Sequence, residues 1–208
     1  MSIENAYNQW ASQYDSMENK TRDLEKLAKQ KTLASIDFKS VLELGCGTGK
    51  NTEWISEKAS YVLAIDFSEE MIAKAKEKII ADHVFFANAD ISKPWNFTKE
   101  KFDLATCSLI LEHIQNLDFV FSEAFKVLEK EGLFYICELH PFKQYTGSKA
   151  RYEQDNKLHV LECYTHHLSE YLDAATKNGF ELKLIDEWFD SEDRTEIPRL
   201  ISFLFKKH

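Results

Sequence analysis

The sequence predicts an α/β fold, an open and mostly parallel sheet with helices on both faces, and three observations carry that reading. Short apolar runs alternate with amphipathic stretches of helical period along most of the chain. Val41-Leu42-Glu43-Leu44 passes directly into Gly45-Cys46-Gly47-Thr48-Gly49 and then a helix at 51–58, the strand–turn–helix unit that opens a nucleotide-like site. Two apolar runs, 180–189 and 197–205, then close the chain as a strand pair around an acidic loop.

With 208 residues, 44% of them hydrophobic and 29% charged, the chain has room for one sizeable core and reads as one soluble domain. No apolar run approaches the ~20 residues of a membrane span. The polar start Met-Ser-Ile-Glu-Asn-Ala-Tyr is not a signal peptide. A net charge of −9 without a long Lys/Arg stripe argues against nucleic acid as partner. Cys46, Cys107, Cys137 and Cys163 are far apart and form no Cys-x-x-Cys, the usage of a cytoplasmic protein with reduced thiols.

The first 35 residues read as helical. Tyr7, Trp10, Ala11 and Tyr14 fall at i, i+3, i+4, i+7, which suits plain aromatic packing, and a second helix at 21–36 carries Leu24, Leu27, Ala28 and Leu33 on one side. In the glycine turn, Gly49-Lys50 is followed by Asn51 and position 44 is not glycine, so this is no Walker loop. The third glycine comes two residues after the second rather than three, which departs from the dinucleotide fingerprint. Glu43-x-Gly45-x-Gly47-x-Gly49 instead resembles motif I of the class I S-adenosylmethionine (SAM) dependent methyltransferases.

That resemblance gives each later strand end a role. Asp66 ends the run Tyr61-Val-Leu-Ala-Ile-Asp, seventeen residues after Gly49, where a carboxylate reaches a ribose; Ser68 is placed to cap the helix beyond it. The run 83–87 leads to Asp90-Ile91, matched in the family to the adenine amino group and ring face. Phe102-Asp-Leu-Ala-Thr-Cys107 resembles the family's fourth-strand motif. The loop beyond it, from Ser108 through His113, would border the methionine end of the cofactor and the substrate. The resemblance thus implies SAM contacts at Tyr14, Glu43, Gly45, Cys46, Gly47, Thr48, Gly49, Asp66, Phe67, Met71, Asp90, Ile91, Cys107 and Ser108. It also makes 1–35 a helical lid over a catalytic domain at 36–208, with Tyr7 and Trp10 facing substrate. The expected architecture is a Rossmann-like seven-stranded sheet whose last strand is antiparallel.

A helix at 119–128 and the turn Glu131-Gly132 lead to the fifth strand, 133–139. The stretch at about 140–166 breaks the strand–helix rhythm directly beyond that strand's carboxyl end, where ligands bind in open α/β sheets. It reads as a substrate-region insertion, with Arg151, Tyr152 and His166 as candidate contacts. His166-His167-Leu-Ser169 opens a helix through Lys177, ended by Asn178-Gly179.

The chemistry expected is methyl transfer to an O, N or S atom of a small molecule, largely by positioning, with a histidine taking the nucleophile's proton. His140, at a strand end toward the expected pocket, is the first candidate base and His113 the second; the plainer reading of His140-Pro141 is a strand terminator. Glu162 and His166 have i, i+4 spacing but no third partner, so no metal site is expected. Ser108-Leu109-Ile110-Leu111 replaces the Asn/Asp-Pro-Pro-aromatic motif of adenine methyltransferases. Glu112 lacks the second glutamate of arginine methyltransferases. A small-molecule acceptor is therefore expected, with neither nucleic acid nor membrane as partner, in a monomer or homodimer. The alternative is a non-catalytic SAM-binding module or partner subunit.

Overall fold

A computed structural model describes residues 3–11, 14–15, 18–149, 151–154 and 157–208, with the backbone alone for 151–154 and 157–159. Two helices, α1 (Ile3–Trp10) and α2 (Lys20–Leu33), precede the sheet. Asn19 caps α2 by accepting the N–H groups of Thr21 and Arg22, which is why the helix starts there. Strand β1 (Ser40–Leu44) leads through the glycine turn to α3 (Lys50–Lys58), β2 (Tyr61–Asp66), α4 (Glu69–Lys78) and β3 (Val84–Asn88). Then come β4 (Phe102–Ser108), α5 (Leu117–Val127), β5 (Leu128–Leu139) and α6 (Pro141–Tyr145). A hairpin of β6 (Arg151–Gln154) and β7 (Lys157–Val160) precedes α7 (Leu168–Lys177), β8 (Phe180–Trp188) and β9 (Leu200–Lys207).

The main sheet has the order β3-β2-β1-β4-β5-β9-β8. The five strands from β3 to β5 run parallel; β9 is antiparallel to both β5 and β8. Successive residues of β1 face opposite layers. Val41 packs with Ala28 and Leu33 of α2 and Ile55 of α3, whereas Leu42 packs with Val120, Phe121 and Ala124 of α5 and Ala174 of α7. Burial on both faces accounts for the near-continuous apolar strands of the sequence.

Three features depart from the expected rhythm. The connection from β3 to β4 has no helix. Trp95, 4% exposed, plugs the space, its ring N–H donating to the Ile91 carbonyl and its backbone N–H to Glu123. The turn at Glu131, left-handed at φ 68, lies inside β5, which already pairs at Leu128. The insertion beyond β5 holds α6 and the β6–β7 hairpin. The Phe102-Asp103 motif sits at the sheet's amino end, where the Asp103 carboxylate accepts the Lys39 and Ser40 N–H groups and so clamps the start of β1.

Candidate active site

The strand order reverses between β1 and β4, and the loops leaving those two strands part to form a cavity of about 340 Å³. Gly45, at φ 68, forms the turn out of β1; a Cβ there would meet Ile110 at 2.6 Å, so the two loops touch only because position 45 has no side chain. Gly47 also takes a positive φ of 53, with nothing within 4 Å of its would-be Cβ, which leaves its backbone open to the cavity.

Asp66, 6% exposed, occupies the end of β2 beside this turn. Its Oδ2 accepts the Gly47 N–H at 2.8 Å and its Oδ1 the Ser68 N–H at 2.9 Å, and it lines the cavity. Burial raises its pKa, against the opposing pull of those N–H donors. One hydrogen bond per oxygen leaves lone pairs for two ligand hydroxyls. Ser68 caps α4 by accepting the Met71 N–H, so Asp66 and Ser68 divide the two roles. Farther along the wall, Asp90 accepts the N–H and hydroxyl of Ser92 and pairs with Lys93. Burial pushes its pKa up, but these donors outweigh it and hold the carboxyl below its ordinary value.

Helix α1 and Tyr14 beyond it contribute to the cavity's lining. Ile3, Glu4, Tyr7 and Tyr14 line the cavity. Asn8 accepts the Ser68 hydroxyl at 2.6 Å, Asp15 accepts the Thr48 hydroxyl at 2.6 Å and also pairs with Lys78, and Tyr7 packs edge-on against Phe67. Tyr7 further bonds His113 at 3.0 Å from its phenol oxygen to Nε2. The other ring nitrogen, Nδ1, lies 3.2 Å from the Glu162 carbonyl, which can only accept. In the neutral ring His113 is therefore the Nδ1–H tautomer, with Nε2 an acceptor for the Tyr7 hydroxyl. Burial pushes the Tyr7 phenol well above its ordinary pKa and keeps it a donor.

The turn bearing His113 is held from two sides. Glu138, near the end of β5, accepts the N–H groups of Ile110 and Leu111; burial raises its pKa to about 8. His166, 6% exposed, donates from Nε2 to the carbonyls of Leu111 and Ile114. Neither role was visible in the sequence, although an acid inside the apolar run 133–139 is a signal that burial would have to be compensated.

The cavity brings together Tyr7, Tyr14, Gly45, Cys46, Gly47, Thr48, Asp66, Phe67, Met71, Asp90, Ile91, Ser108 and His113 among the predicted residues. It does not reach His140. That side chain is fully buried and caps α6, accepting the Phe142 N–H at Nδ1 and donating from Nε2 to Glu187 at 3.1 Å. Burial lowers its pKa and Glu187 only partly offsets this, so the strand-terminating role prevails. Glu43 lies beneath the turn, bonded by the Thr52 hydroxyl at 2.5 Å, and burial raises its pKa to about 7. Gly49 faces Ala75 and Ile79, and Cys107 is fully enclosed in β4. His166, spent on two backbone carbonyls, is structural. Trp10 lines a second, neighbouring cavity. The side chains of Arg151 and Tyr152 lie outside the described residues, as do lid positions 1, 2, 12, 13, 16 and 17. Among the described residues, no group of three His, Cys, Asp or Glu side chains could hold a metal.

The methyltransferase-domain family model matches residues 42–136, the span from β1 into β5. The ubiquinone biosynthesis O-methyltransferase of Pelagibacter ubique is 30% identical over 181 residues, 81% of this chain and 71% of that protein. The demethylmenaquinone methyltransferase of Lactococcus lactis is 30% identical over 202 residues, 90% of this chain and 79% of that protein. Among solved structures, the DhpI–SAM–HEP complex superposes over the whole of both chains with a TM-score of 0.77 at 22% identity, a likeness of fold.

Proposed function

The chain belongs to the SAM-dependent methyltransferases, and we propose that it methylates a small-molecule acceptor with His113 as base and Tyr7 as its proton relay. SAM is the cofactor. The residues present fit it: the Gly47 backbone is open where a Cβ would obstruct, and Asp66 keeps lone pairs for a ribose diol. Asp66 would hold the ribose, Ile91 and Met71 the adenine faces with Asp90 at its edge, and Gly45, Cys46 and Ser108 the methionine end. Bound SAM supplies an electrophilic methyl on a sulfonium.

This chain's own work is positioning and proton removal. The Glu162 carbonyl fixes the His113 tautomer, and Nε2 receives a proton passed through the Tyr7 hydroxyl. Residues 1–35 act as a lid that keeps water from the site, tied down by Asn8 and Asp15. The observation carrying the reading is the Tyr7–His113 hydrogen bond, which joins the N-terminal helix to the loop after β4 at the cavity. The four cysteines are free thiols, three of them buried, in keeping with a cytoplasmic monomer or homodimer. No described helix is long and apolar enough to cross a membrane.

Calorimetric titration with SAM, S-adenosylhomocysteine and NAD, followed by a screen of small acceptors for S-adenosylhomocysteine release, tests this. Binding of both adenosyl ligands with NAD silent, plus turnover that falls in His113→Asn, is expected. Binding without turnover of any acceptor would support a non-catalytic SAM-binding module instead.

A further inference from the structure

A second cavity, also about 340 Å³, adjoins the first across Tyr7, Tyr14, Arg22 and Leu109, which line both. Leu109 takes a left-handed φ of 56, a conformation a leucine adopts only where its surroundings hold it, and it does so where the two spaces adjoin. Tyr7, whose hydroxyl bonds His113, lines both spaces at the same place.

The charges in the second cavity run against the character of the protein. In a chain of net charge −9, its lining among the described residues carries Lys20, Arg22, Lys149 and Arg199 against two carboxylates, Glu18 and Glu112. Arg199 is committed to Asp190 and Thr21, and Arg22 donates to the Tyr14 carbonyl. Lys20 and Lys149 are exposed and form no ion pair among the described residues.

Glu112 is the counterpart. It is 8% exposed, and its Oε2 is buried with no hydrogen-bond partner. It lines the second cavity together with Tyr7 and immediately precedes His113 in the chain. A buried, unpartnered carboxylate is costly unless something donates to it. A hydroxyl would donate but leave the charge uncompensated, whereas an ammonium does both.

We propose that the second cavity is the acceptor site and that it selects a small zwitterion, an amine held by Glu112 with a carboxylate or phosphate held by Lys20 and Lys149. This rests on the methyltransferase reading above. The ammonium loses one proton through Tyr7 to His113 Nε2. Its freed lone pair forms the N–CH3 bond while the electron pair of the S–CH3 bond stays on sulfur as a neutral thioether. The product is a methylated ammonium, and the proton on His113 returns to solvent.

The test is calorimetry on the full-length protein loaded with S-adenosylhomocysteine, using aminoethyl phosphate and β-alanine as zwitterions and ethyl phosphate and ethylamine as their halves. At least one zwitterion is expected to bind at least about tenfold more tightly than either half, and the preferred one identifies the anion as phosphate or carboxylate. Glu112→Gln should erase the preference for the amine, and Lys20→Ala with Lys149→Ala the preference for the anion, with SAM affinity unchanged within about twofold. Equal binding of zwitterions and halves by the unsubstituted protein, or no binding of any of the four, with SAM still bound would overturn the acceptor assignment alone. Loss of SAM binding by the unsubstituted protein would sink the cofactor reading and this one with it.

Discussion

The Tyr7 phenol donates to His113 Nε2 at 3.0 Å, joining a helix that precedes the sheet to a turn that follows its fourth strand. The bond exists because the Glu162 carbonyl holds the Nδ1 proton and leaves Nε2 bare. His113→Asn should lower kcat by about 10²–10³-fold and Tyr7→Phe by about tenfold, with SAM affinity nearly unchanged. Nitrogen-15 spectra should show the Nδ1–H tautomer in the resting protein. An Nε2–H tautomer, or a kcat indifferent to both changes, would remove His113 from the mechanism.

Asp66 performs two tasks with one carboxylate. It ties down the Gly47 and Ser68 N–H groups and retains lone pairs toward the cavity. Asp66→Ala should therefore cost about 1–3 kcal/mol of stability, from two donors left without their acceptor, and weaken SAM binding about 10²-fold. Asp66→Asn, which keeps one acceptor oxygen, should recover part of the stability and little of the affinity. Calorimetry beside thermal unfolding separates the two effects; full SAM affinity in Asp66→Ala would sink the ribose assignment.

The glycines at 45 and 47 make a contrasting pair. Alanine at 45 meets Ile110 at 2.6 Å and adopts an unfavourable φ, so Gly45→Ala should lower stability by about 2 kcal/mol or more. Alanine at 47 meets nothing within 4 Å, and only its φ of 53 opposes it, at a cost of about 1 kcal/mol. Its methyl group would project where the cofactor must approach. Gly47→Ala should thus lose SAM binding out of proportion to its small shift in Tm, whereas Gly45→Ala should lose stability first.

The parts of this arrangement that local pattern reveals are those built from a strand and the turn after it. Gly45–Gly47, Asp66 and Asp90 could be placed because each follows an apolar run by a fixed interval, and a parallel sheet brings those ends together. The candidate base could not be chosen this way. His140 and His113 both stand just beyond strands, and what separates them is tertiary: Glu187 and the α6 backbone use both nitrogens of His140, while Tyr7 and Glu162 leave His113 at the cavity. The hairpin Arg151–Gln154 with Lys157–Val160 has only four residues in each strand, and although Lys157-Leu-His-Val160 alternates, Arg151-Tyr-Glu-Gln154 offers no matching apolar face to announce a pair. Trp95 substitutes for a helix by filling volume, which periodicity does not register. The second cavity was equally hidden, since Lys20, Glu112 and Arg199 are remote in the chain and meet only in the fold.

The N-terminal segment that we propose as a lid is joined to the rest of the chain by bonds that can be removed one at a time. Asn8 to Ser68 and Asp15 to Thr48, both 2.6 Å, join it to the helix and turn that border the cavity. Each is worth about 0.5–1.5 kcal/mol net, so Asn8→Ala with Asp15→Ala should raise the SAM Kd by about fivefold to about 150-fold, chiefly through faster release. Stopped-flow displacement measures this directly. An unchanged off-rate would mean that residues 1–35 do not gate the cofactor.

Stability should fall as pH rises through the neutral range, and the sign follows from two buried acids. Glu138 and Glu43 have folded pKa values raised to about 8 and about 7 by burial. An unfolded glutamate titrates near about 4.3, so the unfolded chain gives up these protons first, and each alkaline step from about pH 4.5 to about pH 8 favours unfolding. Asp15, Asp90 and Asp190, whose pKa values are lowered, act in the opposite sense, but their contribution disappears only as pH falls below the ordinary aspartate range. His140, also lowered, adds stability that is lost as pH falls below about 6.5. Glu138→Gln keeps an oxygen for the Ile110 and Leu111 N–H groups while removing the titration. Its Tm should therefore decline less than that of the unsubstituted protein between about pH 6 and about pH 9, by an amount equivalent to about a few kcal/mol at most. Parallel Tm profiles for the two proteins would show that Glu138 titrates in the fold as it does in the unfolded chain.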